Sequence, residues 1–355
     1  MYETDDFTIW NLTPNVPARC GSVEIFNIVG TLRHPDQVTD FFYSLNDEPE
    51  NRIYFHNSNE LGHRLCARGD FNIDTITLNS LSDYNRLRFR VMRSGNRMST
   101  EELFFSIQSF TERKPLFSLR LDGKNHPEQV GQIVEGNWKI DQDEQHQKCL
   151  EVTPENAGYD RIILFGRSDW SSGYEILARL SVTSITGSHN VGIIFKWNPH
   201  EQGDGTWLPT KWSTGLGYYR SYPPYPGLRI RYGVGVHRNE AGGIEGDFLL
   251  GTGRLSKSRY ILGIIKRKIG LKRQTSELEL NKHYFYRIRI HPQEYSLTVW
   301  PNEKKEPAPQ IVVNKPIDPL PYGSVGIIAY QVGVRLYQFD VTPLFDEGGA
   351  RAFGY

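Results

Sequence analysis

Flat rings combined with planar hydrogen-bonding groups suit the C–H faces and hydroxyl rims of sugars. In this chain they are densest between residues 195 and 238. Lys196, Trp197, His200, Trp207, Lys211, Trp212, Tyr218, Tyr219, Arg220, Tyr222, Tyr225, Arg229, Arg231, His237 and Arg238 all fall there. On a strand, alternation places Arg229 and Arg231 on one face and Leu228, Ile230 and Tyr232 on the other, and it separates Tyr218 and Arg220 from Tyr219. Residues 198–214 form a long, irregular, aromatic stretch, the kind of segment that carries function disproportionately. The expected ligand-binding set is therefore Lys196, Trp197, His200, Trp207, Trp212, Tyr218, Arg220, Arg229 and Arg231, with an oligo- or polysaccharide as partner, its neutral and anionic forms both open. The competing reading gives the rings to core or edge packing and the arginines to a solvated face.

Catalysis has weaker support. Glycoside hydrolysis needs two carboxylates projecting together, and no Glu-x-Asp-x-x-Glu pattern occurs. Glu245-Gly246-Asp247 is the nearest approach, but it follows Ala241-Gly242-Gly243 and reads as a turn. His237, Tyr218, Arg229 and Arg231 form a second set, able to neutralise a uronate carboxylate and move a proton. The nucleophile elbow, GxGxxG and P-loop patterns are absent. Residues 254–273 hold eight Lys or Arg and no acid. Such a run fits an acidic glycan or a membrane surface, or else a solvated insertion.

Composition narrows the classes. Lys+Arg and Asp+Glu both total 41, so no global field draws the protein to nucleic acid, and any anion site is local. Cys20, Cys66 and Cys149 are odd in number and widely spaced, which signals neither a disulfide framework nor a cysteine zinc site. A Cys20 to Cys66 bridge and three reduced thiols both stay open. His189, His200 and His237 lack zinc spacing. The acidic opening of the chain has no apolar export core, and no run is long enough to span a bilayer as a helix. The expectation is a cytoplasmic protein, or an extracellular one after removal of a leader. Asn11-Leu12-Thr13 is a glycosylation sequon, and Arg68-Gly69-Asp70 reads as turn chemistry before it reads as an adhesion signal.

These residues need strands to position them. Short alternating runs at 7–12, 22–32, 38–45, 52–56, 71–78, 86–92 and 103–108 predict a small sandwich over residues 1–110. Its phrases at 41–47, 68–73 and 85–90 resemble bacterial immunoglobulin-like or fibronectin III-like modules, which implies a spacer or docking piece. Residues 111–129 read as a linker and first strand, broken by Pro115, and residues 346–355 as a tail. Between them, residues 130–345 carry runs at 132–140, 148–152, 161–165, 174–185, 191–197, 216–222, 228–234, 284–290, 295–300, 324–330 and 334–341. That many strands bury their faces only as stacked sheets or a closed barrel, and a jelly roll is the economical solution.

Gly158-Tyr159-Asp160-Arg161, the Trp170 to Ile176 segment and Val191-Gly192-Ile193-Ile194-Phe195-Lys196-Trp197 resemble the opening strands of laminin-G-like and 3-keto-disaccharide-hydrolase-type sandwiches. The runs at 284–290, 295–300, 323–327 and 339–344 resemble their closing strands. The resemblance, to the concanavalin A-like lectin and glucanase superfamily, covers about residues 130–345. It implies an all-β chain, a small immunoglobulin-like sandwich followed by a concanavalin A-like jelly roll with ligand on its concave sheet. It also implies a Ca²⁺ option, for which Asp141, Asp143, Glu144, Asp160, Asp169 and Asp204 supply oxygen donors without EF-hand spacing. Each of these aspartates reads first as a turn cap and only second as a metal ligand.

Overall fold

The computed structural model describes residues 2–12, 15–17, 25–55, 68–77, 84–108, 117–153, 160–167, 173–197, 233–238, 244–248, 279–291, 293–309, 311–314 and 324–344. Apart from short 3-10 turns, every element among them is a strand, as the alternation requires. The all-β class holds.

The first nine strands are β1 (Tyr2–Glu3), β2 (Phe7–Ile9), β3 (Asn15–Pro17), β4 (Ile25–Leu32), β5 (Val38–Leu45), β6 (Asn51–Arg52), β7 (Asp70–Thr77), β8 (Tyr84–Arg93) and β9 (Arg97–Gln108). One sheet runs β1-β2-β4-β7 and the other β3-β9-β8-β5-β6, with β3 parallel to β9. Their inward residues form one core in which Phe7 meets Phe89 at 4.7 Å and Phe41 meets Phe71 at 5.2 Å between ring centroids. Burying a Phe contributes on the order of 2–3 kcal/mol, so this ring cluster is the principal cohesion of the sandwich.

The RGD tripeptide lies at the entry to β7. Gly69 takes φ +96 there, Arg68 pairs with Asp36, and Asp70 is only 3% exposed. It is a turn, and its aspartate is not displayed. The sequon asparagine is similarly committed: Asn11 is 5% exposed, donates to the Asn27 carbonyl at 2.8 Å and accepts from the Val29 amide at 3.0 Å.

Twelve strands follow in one hydrogen-bonded network: β10 (Phe117–Ser118), β11 (Gln132–Glu135), β12 (Lys139–Gln142), β13 (Lys148–Val152), β14 (Asp160–Arg167), β15 (Tyr174–Trp197), β16 (Gly233–Arg238), β17 (Ile244–Phe248), β18 (Tyr284–His291), β19 (Glu294–Pro301), β20 (Ile311–Asn314) and β21 (Ser324–Pro343). The path β11-β14-β21-β15-β18-β19-β20 is its spine. Two expected strand pairs, 174–185 with 191–197 and 324–330 with 334–341, are in fact single long strands.

β15 and β21 pair with each other from end to end, through register shifts at Arg179/Leu180, Val182/Ser184, Ile185/Asn190 and Ile194/Trp197. Bulges let a strand turn a corner and pass from one sheet to another. One half of β21 therefore lies between β14 and the far part of β15, and the other between β13 and the near part, which also pairs with β18. The two halves face each other across a single core: Phe165 of β14 and Phe339 of β21 have ring centroids 4.6 Å apart.

A further difference lies at 132–140. Gly136 takes φ +90 and breaks this run into β11 and β12, and a Cβ there would stand 2.4 Å from Arg161 Cγ. Glu245-Gly246-Asp247, expected as a turn, lies in β17 instead, where pairing of His237 with Glu245 and Gly235 with Asp247 supplies the ladder that makes it a strand.

The two sandwiches touch through a polar seam. Asn27 and Asn72 both donate to the Val134 carbonyl, at 3.2 and 3.1 Å, and Trp10 and Val29 join the second core. Beside them His126 opens the 3-10 turn Pro127–Gln129. Its Nδ1 accepts from the Glu128 amide at 3.3 Å, so in the neutral ring Nε2 carries the proton donated to the Trp10 carbonyl at 3.1 Å.

Candidate functional site

The outward side of β21, β15 and β18 is built by alternation, whereas on β19 the residues of both faces from Ser296 to Trp300 are buried. Along β18, Tyr284, Tyr286, Ile288 and Ile290 are buried, leaving Phe285, Arg287 and Arg289 on the opposite face. Along β15, Ile176, Ala178 and Leu180 go inward, leaving Glu175, Leu177 and Arg179 outward. Registers then align three cross-strand rows: Gln338, Arg179, Phe285 and Trp300; Asp340, Leu177, Arg287 and Thr298; Thr342, Glu175, Arg289 and Ser296.

The first row carries the ligand-like chemistry. Phe285 stacks on Trp300 with centroids 5.3 Å apart, and the Arg287 guanidinium lies 5.8 Å from the Trp300 centroid. Trp300 is 7% exposed, so it supports Phe285 and presents little ring of its own. In the neighbouring rows Glu175 bridges Arg287 at 2.6 Å and Arg289 at 2.7 Å, and Glu306 reaches Arg287 Nε at 3.0 Å. Those two cations are already neutralised.

A bulge completes the first row. Leu180 pairs with Leu336 and Arg179 with Gln338, so Tyr337 is the extra residue on β21 and the alternation resets across it. Its ring packs on His283 at 4.3 Å and lies under the Arg179 guanidinium, 5.2 Å from centroid to carbon. Burial, with help from the nearby Cys149 and Asp143, pushes the Tyr337 hydroxyl up to about 12, and that hydroxyl is engaged with Ser181 and Asp143. His283 is lowered by burial and by the adjacent Arg179. Burial also lowers Arg179.

Asp143 and Asp141, two of the expected metal ligands, are turn residues here. Asp143 accepts the Gln145 and Gln147 amides at 2.9 and 2.8 Å, and these bonds outweigh its burial to hold its carboxyl below the usual range. Asp141 accepts the Gln142 amide at 2.8 Å. No cluster of three His, Cys, Asp or Glu suited to a metal occurs among the described residues. The donor geometry of Asp141 and Asp143 therefore fits a turn cap and not a Ca²⁺ site. Asp160 begins β14, and its side chain lies outside the described residues.

Of the sugar-binding set expected from sequence, His200, Trp207, Trp212, Tyr218, Arg220, Arg229 and Arg231 lie outside the described residues, as does the basic run 254–273. Lys196 and Trp197 end β15, where Trp197 pairs with Ser324, far along the strand from Arg179 and its partner Gln338. His237 sits on β16 opposite Glu245. The register does not bring these three to the Arg179 row. Alternation at 284–290 was the available signal for Phe285, but nothing local announced Arg179 or Tyr337. Their meeting depends on a pairing between distant strands.

No family model matches the chain, and no curated protein does. Solved structures do. The exoplasmic/lumenal domain of VIP36 in its Ca²⁺/Man3GlcNAc-bound form is 11% identical, with a TM-score of 0.41 over 67% of this chain and 92% of that one. The legume lectin-like domain from Entamoeba histolytica is 12% identical, with a TM-score of 0.39 over 67% of this chain and 100% of that one. Xylan beta-1,4-xylosidase from Bacillus halodurans is 9% identical, with a TM-score of 0.36 over 95% of this chain and 64% of that one. At these values nothing about ligands passes from them to this chain.

Proposed function

We propose that the protein binds carbohydrate, and that the outward side of β21, β15 and β18 forms the ligand face. One observation carries the reading: a single cross-strand row brings together an amide, a guanidinium and a supported aromatic ring, in Gln338, Arg179 and Phe285. These are the groups a sugar's hydroxyls and C–H face require. The aromatic and basic segment from Trp197 to Gly233, which leaves the end of β15 and enters β16, is assigned a second contact with the same polymer.

Tyr337, its hydroxyl pushed up to about 12 by burial, spent on Ser181 and Asp143 and 8% exposed, is assigned support of Arg179 and not proton transfer. The N-terminal sandwich is assigned the role of an immunoglobulin-like positioning module; its sheet order and the parallel pairing of β3 with β9 support the immunoglobulin-like part of that reading. Any Ca²⁺ requirement falls to Asp160, Asp169 and Asp204.

A glycan array on the intact chain, with and without Ca²⁺, tests the proposal. Phe285→Ala is expected to lower the retained signal by about five-fold or more, the loss typical of a central aromatic anchor. Retention of no glycan by the wild-type chain would refute the reading. Loss in Trp207→Ala or Trp212→Ala with Phe285→Ala unaffected would move the site to the 198–232 segment.

A further inference from the structure

Among the described residues, the partly or fully buried arginines of the C-terminal sandwich are, with one exception, paired. Arg287 has Glu175 and Glu306, Arg289 has Glu175, and Arg335 has Glu144 at 2.7 Å and Glu151 at 3.2 Å. Arg161, almost fully buried, donates to the Thr153 and Val332 carbonyls. Arg179 breaks the pattern. It is half-buried on the ligand face, and among the described residues it has no carboxylate or carbonyl partner. The carboxylate with which it interacts at longer range, Asp143, is committed to two backbone amides and the Tyr337 hydroxyl.

A desolvated cation without a counter-charge is destabilising, and side chains so placed are normally neutralised. Packing alone does not account for it, because an apolar residue would cover the Tyr337 ring at lower cost. What the ring supplies is a flat support that fixes the guanidinium plane while its fork of N–H donors stays unspent. Gln338 lies across one strand boundary and Phe285 across the other, each one inter-strand spacing of ~4.8 Å away. An acidic sugar satisfies all three: its carboxylate takes the fork, its ring C–H groups lie against Phe285, and a hydroxyl donates to the Gln338 amide oxygen, whose nitrogen already donates to Asp340.

We infer that the ligand is an acidic polysaccharide and that Arg179 holds the carboxylate of a uronic acid residue in it. This inference rests on the carbohydrate-binding reading and narrows it to a substrate class.

Calorimetric titration of the full chain with a panel of oligouronides, each beside its carboxyl-reduced neutral counterpart, provides the test. The wild-type chain is expected to bind at least one oligouronide about ten-fold or more tighter than the reduced sugar, as loss of a charge-assisted, bidentate contact implies. Arg179→Gln should erase that preference while the affinity for the neutral sugar persists. Arg179→Lys, which keeps the charge without the fork and guards against a folding artefact, should retain part of it. Equal binding of acidic and reduced sugars by the wild type overturns the inference and leaves the carbohydrate reading standing. An acid preference that survives in Arg179→Gln also overturns it, placing the carboxylate elsewhere. Binding of neither sugar removes both.

Discussion

Phe165 and Phe339 lie 4.6 Å apart, centroid to centroid, though one belongs to β14 and the other to the opposite half of the sandwich. Both are fully buried, and their contact joins the two sheets across the core at a point away from the bulged corner where β15 and β21 also connect them. Because interiors are close-packed, a cavity at this point is not refilled by the strands around it.

Phe339→Ala is expected to cost about 3–5 kcal/mol in stability. Urea unfolding followed by tryptophan fluorescence measures it. Phe104→Ala, at a ring 48% exposed on the N-terminal sandwich, should cost under about 1 kcal/mol. Similar losses at the two positions would show that the Phe165 contact does not organise the core.

The junction between the sandwiches should weaken in acid. Burial lowers His126 from 6.5 to about 4. Between those values the unfolded chain holds the extra proton and the folded chain does not, so stability falls as pH drops from 6.5 and the loss is complete near pH 4. The predicted size is about 1–2 kcal/mol, below the full ~1.36 kcal/mol per pH unit because the ring is only partly buried and solvent screens it. His283, also lowered, acts in the same direction. A His126→Gln chain should therefore show a distinctly flatter denaturation midpoint between pH 6.5 and 4. Parallel curves for the two chains would assign the acid sensitivity to other groups.

Gly136→Ala should destabilise by about 2–4 kcal/mol, combining left-handed backbone strain with a steric clash against the buried Arg161. Gly123, at φ +69 with open space within 4 Å of where a Cβ would stand, isolates the backbone component alone. Its alanine variant should lose about 1–2 kcal/mol. The prediction fails if the two variants melt together.

Expression through a glycosylating secretory route should leave folded protein unmodified at Asn11, since its amide is buried and bonded on both sides. Intact-mass spectrometry reads this directly. A stoichiometric glycan at Asn11 in folded protein would mean that this seam opens or forms late.

Much of the architecture was legible in the chain itself. A period of two along 284–290 specifies both a strand and its buried face, because successive side chains on a pleated backbone go to opposite sides, and the structure buries Tyr284, Tyr286, Ile288 and Ile290 accordingly. Turn chemistry likewise marked Gly69 as the entry to β7. Tertiary structure alone decided that 174–185 and 191–197 are one strand, since glycine and polar residues mark a bulged corner and a chain break in the same way. It alone decided the ligand-face row as well. Arg179, Phe285 and Gln338 are far apart in sequence and meet only through the registers of β15 with β18 and β21, set by burial of the opposite face. Local composition singles out 195–238, where rings are dense; that Arg179 lacks a carboxylate partner among the described residues depends on pairings between distant strands, which no local pattern encodes.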